Sequence, residues 1–128
     1  MYFCRKLGKM TNEMTQKLLP TLKTYFGYDS FRDQQQQIVE AVLAKKDNLV
    51  IMPTGGGKSI CFQLPALLFE GVTWVISPLI ALMEDQVDGF KATGIEADFY
   101  NSSQDRDEQT AIFDKILTKN LKLMYVGP

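Results

Sequence analysis

The stretch Met52-Pro53-Thr54-Gly55-Gly56-Gly57-Lys58-Ser59 decides the fold. Glycine has no Cβ, so consecutive glycines reach positive φ and turn their N–H groups toward one anion, which other residues do only with strain. Lys58 is then placed to reach the β and γ phosphates of a nucleoside triphosphate, and the Ser59 hydroxyl to hold Mg²⁺. A helix starting here adds the positive end of its dipole, worth about 0.3–2 kcal/mol for an anion. The fit to G-x-x-x-x-G-K-[ST] is irregular, because Met52 stands at its first position. Context argues more strongly than the pattern. The apolar run Asn48-Leu49-Val50-Ile51-Met52 is of strand type, and Ile60-Cys61-Phe62-Gln63-Leu64 opens a helical stretch. The plainer account is a glycine-rich turn with a solvated lysine, and the order strand, glycine loop, helix weighs against it.

Outward from the loop, the periodicity predicts helices near 11–26 and 32–45 and a strand at 48–53. A regular alternation follows: helix 58–69, strand 72–76, helix 79–92, strand 97–100, helix 105–119 and strand 121–126. Alternation of this kind, with mostly apolar strands, predicts an α/β fold with a parallel sheet and helices on both faces. Ligands of such sheets sit at the carboxyl ends of the strands, where Thr54 to Ser59, Ser77-Pro78, Asn101-Ser102-Ser103 and Gly127-Pro128 fall.

A chain of 128 residues is one domain at most. With 45% hydrophobic and 23% charged residues and no run of ~18 apolar residues, we expect a soluble, intracellular globular protein with no membrane span. The start, Met1-Tyr2-Phe3-Cys4-Arg5-Lys6, lacks the apolar core of a signal peptide. Cys4 and Cys61 are far apart and form neither a C-x-x-C pair nor a disulfide framework. Fourteen basic residues against fifteen acidic ones give a net charge of -1, poor support for a grip on nucleic-acid phosphates.

A second signal, Phe26-Gly27-Tyr28-Asp29-Ser30-Phe31-Arg32-Asp33-Gln34-Gln35, lies upstream of the loop. A Gln amide can pair bidentately with adenine, and a guanidinium or phenol ring can lie on the purine face. The ordinary alternative makes Phe26, Tyr28 and Phe31 core anchors and Gly27 a helix C-cap, with Arg32 and Gln35 solvated.

The order Phe-Gly-Tyr, Phe-Arg-x-x-Gln, the glycine loop, Val-Ile-Ser-Pro-Leu-Ile-Ala-Leu-Met-x-Asp-Gln-Val and Leu-Met-Tyr-Val-Gly-Pro closely resembles the N-terminal part of RecQ-family DNA helicases. The likeness covers about residues 17–128. It implies an ATP-dependent 3′ to 5′ DNA helicase of recombination and repair, acting on single-stranded or forked DNA in the cytoplasm or nucleoid of a bacterium or the nucleus of a eukaryote. It also implies that 14–128 belongs to an incomplete RecA-like first motor domain, after an N-terminal extension at 1–13. By position, the family's adenine motif places Tyr28, Arg32 and Gln35 around the base. Its phosphate loop falls on Thr54, Gly55, Gly56, Gly57, Lys58 and Ser59, with Lys58 the candidate catalytic residue and Ser59 the Mg²⁺ ligand. The segment from Ser77 to Val87 corresponds to motif Ia, which implies a DNA contact at Ser77 and Pro78. Asp33 stands where relatives have other residues.

Motif Ia also has a plain account: Leu79, Leu82, Met83, Val87 and Phe90 recur at helical spacing and are expected to face the sheet. Glu84, Asp85 and Asp88 would repel a nearby phosphodiester, so any DNA grip here is weak. The chain has no histidine, so the family's Asp-Glu-Ala-His cannot be in it. Asp107-Glu108 follows polar residues, and we expect a capped, acidic helix start over 103–108. The chain looks cut rather than finished, which leaves two readings: a piece of a helicase active only in a longer chain, or a nucleotide- or DNA-binding module without turnover. A small P-loop kinase requires neither Tyr28, Arg32 and Gln35 nor Ser77-Pro78.

Overall fold

The computed structural model of the chain describes residues 12–53, 55, 57–118 and 121–127. Of the candidates above, Thr54, Gly56, Pro128 and the extension through residue 11 lie outside the described residues. The chain forms two units, one running to Phe69 and one starting at Glu70.

The first unit is helical. Its helices are α1 (Asn12–Phe26), α2 (Gln35–Leu43) and α3 (Lys58–Leu68). Leu18 and Leu22 of α1, Val39 and Leu43 of α2, and Ile60 and Leu64 of α3 sit four residues apart on each helix and close one core. That spacing brings each pair onto a single helix face, so three stripes meet without exposing backbone. Phe26, Phe31, Leu68 and Phe69 pack against this core. Gly27, at φ +77°, ends α1 as the C-cap read from the sequence, its N–H donating to the Lys23 carbonyl at 3.0 Å.

Two expectations in this unit are corrected. The helix expected from residue 32 begins at Gln35, because Asp33 lies in the left-handed region at φ +45° and breaks the helical path before it. The strand expected at 48–53 is absent: the segment carries no regular structure, and Leu49 and Ile51 are 82% and 89% exposed. Val50 and Met52 are half-buried. The alternation is that of an extended chain with one side covered, but a strand exists through its ladder, and 48–53 pairs with no described segment.

The second unit holds a parallel sheet of β1 (Thr73–Ile76), β2 (Ala97–Tyr100) and β3 (Leu123–Val126) in the order β1-β3-β2. The register sets Thr73 and Ala97 on either side of Leu123, and Ile76 and Tyr100 on either side of Val126. Parallel neighbours need crossovers, and α4 (Ile80–Ala92) and α5 (Arg106–Leu117) supply them. Ile112 and Ile116 of α5 pack with Leu121, Met124, Val126 and Tyr100, which lie on one side of the pleat. Val75, Leu123 and Tyr125, on the opposite side, are buried too. The α/β expectation therefore holds, with an open sheet of three strands among the described residues.

α5 starts as its sequence predicts. The Asp105 carboxylate accepts from the Glu108 N–H at 2.9 Å, and the Glu108 carboxylate accepts from the Asp105 N–H at 2.9 Å. This reciprocal cap satisfies two donors that a helix start leaves open. In α4 the buried residues are Met83, Val87 and Phe90. The expectation that Leu79 and Leu82 join them is corrected. Leu79 precedes the helix and is exposed, and Leu82 is turned by about 100° from Met83 and is exposed as well.

Candidate nucleotide site

α3 begins where the glycine loop ends. Gly57 is its N-cap residue, in the left-handed conformation at φ +76°, and it presents Lys58 and Ser59 in the first turn. Lys58 is exposed and Ser59 half-buried. Gly55 is also left-handed, at φ +80°, and no described residue comes within 4 Å of the position a Cβ would take. The N–H groups of a helix's first turn have no partner within the helix, so this end of α3 carries both free donors and the positive end of the dipole.

Gln35 is the best-held polar side chain of the site. It is 2% exposed, so the solvated alternative for Gln35 does not describe it. Its Oε1 accepts from the Arg32 N–H at 2.9 Å, and its Nε2 donates to the Gly57 carbonyl at 3.1 Å. The packing there is tight enough that a Cβ at Gly57 would overlap Gln35 Nε2. The structure thus joins the first residue of α2 to the last residue of the glycine loop. This contact spans 22 residues of sequence, and no local pattern announced it.

The other two base-site candidates are at the surface. Tyr28 is 53% exposed and Arg32 is exposed, both in the turn between α1 and α2, where Lys23 of α1 also pairs with Asp29 at 2.7 Å. Phe26 and Phe31, the anchors in the ordinary alternative, do pack on the core, whereas Tyr28 does not. Of these two residues, Arg32 adjoins the buried amide through its backbone N–H, and an exposed phenol or guanidinium can lie on the face of a flat ring.

Cys61, one turn into α3, is buried, and its thiol lies 3.8 Å from the Gly57 carbonyl. Burial pushes this thiol above the usual cysteine range, with a lesser opposing effect from a backbone hydrogen bond. It behaves as packing on the loop's helix, as expected for a desolvated thiol. Among the described residues, no group of three or more His, Cys, Asp or Glu side chains could hold a metal ion.

In the second unit the carboxyl ends of the three strands lie together. The Ser77 N–H donates to the Val126 carbonyl at 3.1 Å, and the Gly127 N–H donates to the Tyr100 carbonyl at 3.0 Å. Ser77 Oγ accepts from the Leu79 N–H at 3.3 Å, which ties the Ser77-Pro78 turn to the start of α4. At the end of β2, Asn101 is buried; its Oδ1 takes the Ser103 N–H at 2.8 Å and the Ser103 hydroxyl. Asn101 Nδ2 is buried with no hydrogen-bond partner among the described residues.

A glycine loop at a helix start, a buried amide behind it and a parallel open sheet define a P-loop α/β protein of the helicase type. The DEAD/DEAH box helicase model matches residues 32–128, so the chain belongs to that family, and its relatives place it in the RecQ branch. It is 55% identical over 115 residues to an ATP-dependent DNA helicase RecQ of Pasteurella multocida, covering 90% of this chain and 18% of that protein. It is 47% identical over 113 residues to the RecQ helicase of Synechocystis, covering 88% of the chain and 24% of that protein. A rat ATP-dependent DNA helicase Q1 is 45% identical over 114 residues, covering 88% of the chain and 18% of that protein. The chain therefore spans about a fifth of the length of these curated relatives. No helix among the described residues is long and apolar enough to cross a membrane.

Proposed function

We propose that this chain is the ATP-binding part of an ATP-dependent 3′ to 5′ DNA helicase, in which Gly55 to Ser59 cradle the phosphates and Tyr28, Arg32 and Gln35 hold the adenine. The observation that carries the reading is Gly57: left-handed, capping α3, and fastened by a buried glutamine from the adenine motif. The exposed Lys58 ammonium meets the β and γ phosphates and neutralises charge as it develops on them. The family implies a divalent cation. Ser59 fits such a role, because its hydroxyl stands in the first helical turn beside the phosphate path and is only half-buried. Bound there, Mg²⁺ would screen the phosphate oxygens.

Ser77 and Pro78, at the carboxyl edge of the sheet, are proposed to lie against the backbone of single-stranded DNA, with forked DNA as the substrate of the whole protein. For the 128 residues alone we propose binding without turnover, since the chain has no histidine for the family's Asp-Glu-Ala-His. The test is ATP binding and hydrolysis by the chain. Binding that falls at least about tenfold on Lys58→Ala, with no DNA-stimulated hydrolysis, supports the reading. Binding indifferent to Lys58 overturns the phosphate-loop assignment, and turnover abolished by Lys58→Ala overturns the proposed lack of catalysis.

A further inference from the structure

We propose that Asn101, at the end of β2, and the open start of α4 hold one phosphodiester of a single strand between them, with Asn101 Nδ2 donating to a phosphate oxygen. The inference rests on the reading of Ser77 and Pro78 as a strand contact and adds to it a residue from a different strand of the sheet.

The turn after β2 fixes Asn101 at every polar group but one. Its N–H donates to Gln104 Oε1 at 3.1 Å, and its carbonyl accepts from the Gln104 N–H at 3.4 Å. Its Oδ1 accepts from the Ser103 N–H at 2.8 Å and from the Ser103 hydroxyl. Gln104 is held in turn, its Nε2 donating to the Phe99 carbonyl at 2.9 Å. The orientation of the Asn101 amide follows from chemistry: turned over, it would set Nδ2 against the Ser103 N–H, donor against donor. Nδ2 is therefore left unmatched in a residue that is 3% exposed, with no partner among the described residues. A buried donor without an acceptor is costly, and a turn that pins the amide around it keeps it for an acceptor from outside the turn.

That acceptor comes past Gly127. A Cβ at Gly127 would stand 3.4 Å from Asn101 Cβ, 3.7 Å from Met83 Cε and 3.9 Å from Ile80 Cγ1, so Asn101 and the first turn of α4 meet over a residue with no side chain. α4 has no side-chain cap, and the N–H groups of the exposed Ile80, Ala81 and Leu82 have no partner within the helix. Ser77 Oγ accepts from the Leu79 N–H, which leaves its hydroxyl proton to donate. These groups are neutral donors, and the exposed Glu84 and Asp85 follow on α4. Neutral donors near carboxylates suit a phosphodiester, with its single charge, better than a free phosphate with up to about two. Asn101 is covered until the strand seats, and the side chains beside Gly127, the exposed Ile80 and the unbranched Met83, then move aside.

The experiment measures binding of oligo-dT to the chain, wild type and Asn101→Asp, with far-ultraviolet circular dichroism confirming the helices. Aspartate keeps Oδ1 for Ser103 and replaces the donor by an acceptor. We expect Asn101→Asp to bind oligo-dT at least about fivefold more weakly, the scale of one hydrogen bond to a charged group. A single methylphosphonate, which removes one phosphate charge and one oxygen, is then moved along the strand. At one position the penalty of Asn101→Asp should fall to within about twofold. A penalty equal at every position overturns the inference, because the residue would then act through the fold and not through a phosphate. On the wild type alone, the Asn101 side-chain amide protons are followed by NMR and should shift on adding oligo-dT. Oligo-dT bound with these signals unmoved overturns the inference and leaves the Ser77-Pro78 contact standing, whereas no binding of oligo-dT overturns both. Inorganic phosphate that moves the signals as far as oligo-dT at equal ionic strength overturns the strand as the occupant.

Discussion

Lys115 of α5 reaches back to β2 and places its ammonium 2.6 Å from the Asp98 carboxylate, whose side chain is 9% exposed while that of Lys115 is 45% exposed. Asp98 Oδ1 also accepts from the Phe99 N–H at 2.9 Å, so both oxygens of a buried carboxylate are engaged. Lys115→Met keeps the apolar stem and removes the charge, leaving Asp98 buried with one partner fewer. A fully buried pair broken in this way costs about 3–5 kcal/mol. The half-exposed lysine lets water reach the site, and we expect about 1–3 kcal/mol. Adding Asp98→Asn should recover part of the loss. Urea unfolding followed by Trp74, the chain's single tryptophan and part of β1 in the same unit, reads the effect. A loss under about 0.5 kcal/mol would place the pair with ordinary surface ion pairs.

Two loop glycines separate backbone strain from steric overlap. Gly55 and Gly57 are both left-handed, but among the described residues a Cβ meets nothing within 4 Å at Gly55 and overlaps Gln35 Nε2 at Gly57. Gly55→Ala should therefore cost only the conformational strain, roughly 1–2 kcal/mol. Gly57→Ala should cost more and weaken triphosphate binding at least about tenfold, since it also displaces the amide. Equal stability losses in thermal unfolding would show that the overlap relaxes without consequence.

The cap on α5 gives a stability change that belongs to the second unit. Asp105→Ala removes the acceptor for the Glu108 N–H and keeps the backbone N–H from which the Glu108 carboxylate accepts. We expect a loss of about 1 kcal/mol with ATP affinity unchanged. A change in ATP affinity would contradict the assignment of the nucleotide to the first unit.

How much could be read beforehand depended on whether the cause was local. The positive φ of Gly55 and Gly57, the C-cap at Gly27 and the capping box at Asp105 and Glu108 are set by residues within four positions, and all three stand in the structure. The three paired strands were legible from their regular alternation with helices, and β3 also because a buried parallel strand is apolar along its length. Residues 48–53 share that signature, but pairing is a property of two segments, and composition reports only one. Gln35 stood out in the sequence as an amide able to pair with adenine or as a solvated side chain, and its burial excludes the second. Its bond to Gly57 was not legible, because it depends on how α2 packs on α3. The burial of Met83, Val87 and Phe90 without Leu79 and Leu82 likewise needed the helix start at Ile80, which fixes the stripe's phase.

The Cys61 thiol carries a pH dependence. Burial raises its pKa in the folded chain, so the folded state keeps its proton to higher pH than the unfolded state does. The associated stability is fully present below the unfolded thiol's pKa and is lost as pH rises from there through the folded value. In a Cys4→Ser background, alkylation of Cys61 should be slower than that of a free thiol at pH 8 and should accelerate on denaturation. Cys61→Ala should flatten the alkaline decline in stability. Alkylation at the rate of an exposed thiol would contradict the burial.

The proposed DNA contact at Ser77 and Pro78 is testable by its dependence on salt. Ser77 and Pro78 offer a hydroxyl and a turn but no cation, and the exposed Glu84 and Asp85 follow on α4. Single-stranded DNA loses about 0.7 in log–log salt slope for each phosphate neutralised, so a contact made by backbone donors gives a slope near zero to about one. Glu84→Gln with Asp85→Asn removes repulsion without adding a cation. It should therefore raise affinity for an oligo-dT strand several-fold at low salt and less so at high salt, where screening already hides the carboxylates. Fluorescence anisotropy across a salt series reads both quantities. A slope of about three or more in the wild type would require several lysines or arginines at the strand, and would move the DNA path away from the Ser77-Pro78 turn.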